Sequence, residues 1–123
     1  MPSFVLVESK NSAIQHGAKI RICATFSSRL RGLMFRRGLM EDEGILLVGG
    51  RDSRIDSSIH MLFVPFDLAV FWISSAMEVV DKAIARRWRP VYVPARPARF
   101  ILEVHPSLIS AYEIGENVEF VDA

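Results

Sequence analysis

One cysteine in 123 residues cannot close a disulfide within the chain, which excludes disulfide-stapled scaffolds and favours a reducing compartment. Cys23 lies in an apolar, strand-like run and reads as a packed core thiol rather than a nucleophile. Long hydrophobic runs are missing too. The longest, Leu68 to Ile73, falls far short of the ~20 residues that a membrane-spanning helix needs. Met1 to Glu8 has neither the basic start nor the apolar stretch of a secretory signal, so a cytoplasmic protein without membrane attachment is expected. Nor does one charge sign dominate: 15 Lys and Arg stand against 14 Asp and Glu. Bulk attraction to nucleic acid or lipid is therefore not implied.

The short signatures of common chemistries are absent as well. There is no HExxH and no cysteine pair, and His16, His60 and His105 are far apart in sequence, so no metal is expected. GxSxG, the P-loop and GxGxxG are missing, and Gly49-Gly50 reads as a turn rather than a phosphate cradle. No cofactor is expected.

What is there is a chain able to bury a core. Half of its residues are apolar, with eight Phe and two Trp, and no linker divides it. A single domain over residues 1–123 is expected. Strands are expected at Phe4–Val7, Lys19–Ala24, Gly44–Val48, Ser57–Phe63, Asp67–Ser74, Glu78–Trp88, Phe100–Val104 and Asn117–Val121. Asp67–Ser74 is apolar on both faces, as a central strand is. Glu78–Trp88 fits a helical stripe as well as a hairpin arm. Short helices are expected at Thr25–Phe35 and from Pro106 through Tyr112. Gly32 weakens the first of these and implies a close approach there. The expected fold is mainly β, at the margin of α+β: an antiparallel β-barrel or sandwich of about seven short strands with two short helices.

Charge is segregated along the chain. Lys82 to Arg99 carries six bases and no acid, and Glu103 to Asp122 carries five acids and no base. Pairing of these stretches in the fold is the simpler reading. An anion-binding surface from Arg29, Arg31, Arg36 and the Arg86–Arg99 stretch is the sharper one, with Trp88 and Tyr92 among the bases. No nucleic-acid module is recognisable, and nearby acids would cancel much of the field, so nucleic acid is not the expected partner.

Glu103 lies in an apolar run between Leu102 and Val104. It either faces water or is buried and in need of a partner, Arg31 and His60 being the candidates. The serines near His60, Ser57 and Ser58, provide no evidence of a triad.

Arg31-Gly32-Leu33-Met34-Phe35-Arg36, then Ser58-Ile59-His60-Met61-Leu62-Phe63, then Leu102-Glu103, then Gly115, follow one another in an order and spacing that resembles the prokaryotic family called domain of unknown function 192. The resemblance runs from about Ile20 to Val121. It implies a small, mostly β domain, and it supports Glu78–Arg86 as the second arm of a hairpin with Trp88-Arg89 in the loop beyond. Three places depart from the family pattern. Asp67 and Ala69 stand where a Pro and, two residues on, an Asp are usual. Ser74 and Met77 replace the usual Asp and Gly near the hairpin tip, and Gly115-Glu116 replaces Gly-Asp.

Arg31, His60 and Glu103 are thus expected to converge, with Asp67 at the margin, while Gly32, Leu33, Met34 and Gly115 serve the architecture. The expected function is binding of a small anionic ligand or a peptide end, with Arg31 as a forked donor and His60 as a pH-sensitive one. A hydrolase-type enzyme with His60 as general base is the alternative, and a structural, partner-docking domain is the third reading. Composition does not decide between enzyme and binding module, and it leaves the oligomeric state open.

Overall fold

The computed structural model describes residues 4–9, 19–24, 33–34 and 36–122. Seven strands form one sheet: β1 (Phe4–Ser9), β2 (Lys19–Cys23), β3 (Glu43–Ser53), β4 (Leu68–Ile73), β5 (Val79–Ala85), β6 (Ala98–Val104) and β7 (Val118–Asp122). Their spatial order is β5-β4-β6-β3-β2-β1-β7. Every neighbouring pair is antiparallel except β2–β3, where Lys19 to Cys23 run alongside Glu43 to Leu47 in parallel. The segment 24–42 between them is long enough for the crossover that a parallel pair requires.

The sheet curls until its two edges meet at one corner. There Glu78 pairs with Asn117, and the Val79 amide donates to the Glu116 carbonyl at 2.9 Å. Gly115 makes the turn at this corner with φ +97°, and its amide donates to the Val79 carbonyl at 2.8 Å. A side chain there would be strained, because L residues avoid positive φ.

Period-two alternation divides the core in two. One cluster draws a residue from every strand, including Val7, Ile20, Leu46, Phe71, Val79, Leu102 and Val118, so it fills the inside of the curl. Tyr112 closes it, stacked edge-on against Phe71 at 5.1 Å, with its hydroxyl donating to the Val7 carbonyl. The second cluster lies on the other face of β2 to β6. It joins Ile45, Val70, Trp72 and Ile101 to Ile59, Met61 and Val64 of the segment between β3 and β4. Both faces of β4 are therefore covered, and all six of its residues are buried, as expected of the 67–74 run.

Two expectations are corrected. Ser57–Phe63 is not a strand of the sheet. It lies across the second cluster and pairs only at Ile59, which exchanges backbone hydrogen bonds with Tyr92 at 2.8 and 2.9 Å. The hydroxyls of Ser57 and Ser58 reach back to the carbonyls of Ser53 and Arg54, and Phe63 takes φ 61°, so the backbone turns at both ends. The alternation in this stretch records one face against the core, not a place in the ladder. Pro106 opens only a 3-10 turn, Pro106–Leu108. Lys82 Nζ takes the carbonyls of Ile109 and Tyr112 at 3.1 and 3.2 Å, and the Glu113 amide donates to Glu116 Oε1, so the bonds that would continue a helix go elsewhere. Neither expected short helix is found among the described residues. The other, Thr25–Phe35, lies outside the described residues but for Leu33 and Met34.

The hairpin arm expected at 78–88 is β5, and its partner β4 is joined to it by a tight tip. Met77 sits there at φ 64°, a conformation for which glycine is better suited. Among the described residues, no helix is long and apolar enough to cross a membrane.

Gly44 is the most crowded of the described glycines, and it lies beside residue 103. A Cβ on Gly44 would fall 2.7 Å from the Glu103 carbonyl oxygen and 2.7 Å from Val104 Cγ1. Gly44→Ala is expected to lower the urea-unfolding free energy by about 1–3 kcal/mol with an unchanged m-value. An unchanged midpoint would mean that β3 and β6 are spaced more widely.

Candidate functional site

β6 presents Glu103 to the second face of the sheet. Its neighbours in register are Ile45 on β3 and Val70 on β4, both apolar and both buried. Glu103 itself is 5% exposed. Among the described residues, no donor or cation bonds to its carboxyl. Burial alone lifts its pKa from 4.5 to about 7.

The carboxyl borders a cavity of about 690 Å³. Its walls include Leu33, Met34, Leu47, Val64 and Ile101. Polar groups enter from two sides. The covering segment contributes Ser57, Ser58 and His60, and the exposed mouth carries Arg51, Asp56 and Arg99. Register slips between Val48 and Ser53, and this irregularity in β3 carries Gly49, Gly50 and Arg51 to the cavity. Arg99 Nε donates to the Gly49 carbonyl at 3.0 Å, while Arg51 Nε lies 3.7 Å from Asp56 Oδ2.

His60 is held by its neighbours rather than by its own ring. Trp72 Nε1 donates to the Ser57 carbonyl at 2.8 Å, Ile59 pairs with Tyr92, and the Met61 amide donates to the Arg89 carbonyl at 2.9 Å. The imidazole between these anchors keeps a buried Nδ1 with no hydrogen-bond partner. Most buried polar atoms in folded proteins are satisfied, so this atom calls for an explanation.

His60 and Glu103 thus line one cavity, joined by Leu33 and Met34. Arg31 and Gly32 lie outside the described residues. Asp67 is not among the lining residues. Its carboxylate accepts from the Arg87 amide at 2.9 Å and from Arg86 at 3.4 Å, and these contacts hold its pKa below the usual value. Gly115 is at the closure corner between β5 and β7. Arg99, the end of the Arg86–Arg99 stretch offered for an anion-binding surface, stands at the mouth. The sequence gives no sign of Arg51 and Asp56 there, because they lie in a polar loop after Gly49-Gly50. Among the described residues, no three His, Cys, Asp or Glu side chains converge to hold a metal ion.

A buried acid of this kind makes stability depend on pH. In the unfolded chain the carboxyl ionises near 4.5, whereas in the native fold it keeps its proton until about 7. The stability is therefore fully present below 4.5 and is lost as pH rises through about 7, by on the order of 3 kcal/mol. Glu103→Gln is expected to remove this loss. Urea unfolding of both proteins from about pH 4 to 8 checks it. A constant difference between them across that range would show a solvated carboxyl.

Comparisons with known proteins agree with this architecture. A UPF0127 protein of Thermococcus kodakarensis is 35% identical over 113 residues, covering 92% of this chain and 69% of that protein. Two solved structures share the fold. One, from Sinorhizobium meliloti and described as a candidate transcription regulator, superposes with TM-score 0.84 at 18% identity over 98% of this chain and 94% of that one. The other, a protein of unknown function from Novosphingobium aromaticivorans, gives 0.82 at 20% identity over 96% and 84%. At these identities the likeness carries the fold alone. The model of the family described as Uncharacterized ACR, domain of unknown function 192, matches residues 6–120, and the chain belongs to that family.

Proposed function

We propose that the domain is a binding module for a small, partly apolar ligand that enters the cavity between β3, β6 and the covering segment 54–66. The observation that carries this reading is that Glu103, whose carboxyl has no bonding partner among the described residues, and His60, whose buried Nδ1 has none, line one space of about 690 Å³. Ligand cavities are commonly of this size, mostly apolar with a few convergent polar groups. An apolar void alone would be a packing fault, and polar groups alone would be expected to satisfy one another. Their combination leaves hydrogen-bonding capacity for a guest. Arg51 and Arg99 at the mouth suit the anionic part of such a ligand, and a peptide end combines both kinds of group. In this reading, Arg31 adds a forked donor from beyond the described residues, and Asp67 orders the 86–87 loop rather than touching the ligand.

The hydrolase alternative finds less support. The Ser57 and Ser58 hydroxyls donate to the carbonyls of Ser53 and Arg54, so neither is set up as an activated nucleophile. Among the described residues, no hydrogen bond links Glu103 to His60, and an orienting acid would need one.

Because His60 Nδ1 makes no bond in the free protein, His60→Ala is expected to leave stability within about 1 kcal/mol of wild type. The same variant is expected to lose the thermal shift that small amphipathic compounds give the wild type. A ligand at 100 times its dissociation constant adds about 2.7 kcal/mol, enough to read as several degrees. A metabolite screen by thermal shift tests this. No shift with any compound, or undiminished shifts in His60→Ala, would refute the proposal.

A further inference from the structure

The geometry points to a positively charged nitrogen as the group held at the inner end of the cavity, on an aliphatic or aromatic primary amine whose ammonium meets Glu103. This deepens the small-ligand reading and rests on it. Glu103 is buried between Ile45 and Val70, lines the cavity, and receives no donor from the described residues. A ligand carboxylate at that end would meet a second carboxyl to which no cation of the described residues bonds. A neutral hydroxyl would offer one hydrogen bond. An ammonium offers three donors and the opposite charge, so it alone satisfies the carboxyl in its ionised form. His60 lines the same cavity, and its buried Nδ1 has no hydrogen-bond partner.

The other charged and titratable groups near the site fit this polarity. Cys23 on β2 is driven toward its neutral thiol, chiefly by burial. Arg99, on the same strand as Glu103, is tied to the Gly49 carbonyl, and Arg51 and Asp56 are together at the mouth. Arg51 and Arg99 thus stand with Asp56 at the exposed end, Glu103 is the buried acid among the described lining residues, and Arg21 of β2 lies on the same face of the sheet, across Ile45 from Glu103. A molecule with its ammonium inward and its carboxylate outward, such as an amino acid, belongs to the same class. Binding converts the neutral carboxyl to carboxylate: its proton passes to solvent as the alkylammonium enters, and no other bond changes.

The test is calorimetric titration of the full chain with n-hexylamine, hexan-1-ol and hexanoate, repeated with Glu103→Gln. Hexylamine is expected to bind at least about tenfold more tightly than either isostere, and Glu103→Gln to abolish that preference. At pH 6, titration in buffers of different ionisation enthalpy is expected to show close to one proton released per amine bound. This measurement uses the wild type, so it stands even if the variant folds poorly. Leucinamide is expected to bind and N-acetyl-leucinamide to fail. Hexanol or hexanoate binding as tightly as hexylamine, or equal binding of the acetylated compound, would overturn the amine assignment while leaving a small-ligand site. Failure of all of these probes to bind would overturn both.

Discussion

A strand covered on both faces has no wet side on which to place a carboxyl. β6 is in that position at residue 103. Leu102 and Val104 fill the inside of the curl, and on the other face Glu103 sits among Ile45, Val70 and Ile101. Register forbids escape, because a shift of one residue would exchange the two faces and bring the acid into the enclosed core. The close crossing at Gly44 helps fix that register from the β3 side. The cavity, the raised pKa of the buried acid and the covering segment all accompany one ionisable group kept at one position in a two-sided sheet.

Much of the fold was legible because the strands obey simple periods. Asp67–Ser74 is apolar throughout, and β4 is indeed buried on both faces. The ambiguous 78–88 stretch forms a hairpin arm, since β5 must supply Val79 to the inside of the curl and Val80 to the other face. Ser57–Phe63 misled for a physical reason. An extended segment laid over a sheet shows the same alternate burial as a strand within one, and only hydrogen bonds distinguish them. The Pro106 segment misled because helix-start chemistry is local, whereas the competition for the Ile109 and Tyr112 carbonyls comes from Lys82, distant in sequence.

The site was legible as types of residue but not as an arrangement. His60 and Glu103 attract notice as polar groups in apolar runs, and they line one cavity. The mouth did so only in part: Arg99 belongs to the expected anion-binding stretch, whereas Arg51 reaches it through a register slip that no periodic pattern records. Asp67 looked like a site residue from its position before an apolar strand. Its carboxylate instead fixes the turn after β5, and Ala69, two residues on, is completely buried inside the curl. An acid at 69 would face the enclosed core and not the cavity, so the departures from the family pattern at 67 and 69 leave the Glu103 side untouched.

Among the described residues the Glu103 carboxyl and His60 Nδ1 have no hydrogen-bond partner, and groups lining one cavity stay unpaired only if the backbone prevents them from collapsing together. The covering segment supplies that restraint. Ser57 is fixed by Trp72, Ile59 by Tyr92, and Met61 by Arg89 and Trp88, so His60 is carried between anchors it does not choose. Phe63 and Trp88 complete the clamp at φ 61° and 65°, with ring centroids 5.7 Å apart. Bulky side chains in left-handed backbone cost about 1–3 kcal/mol each and endure where the surroundings over-determine them. Here the strain falls on the two turns that hold the covering segment over the sheet.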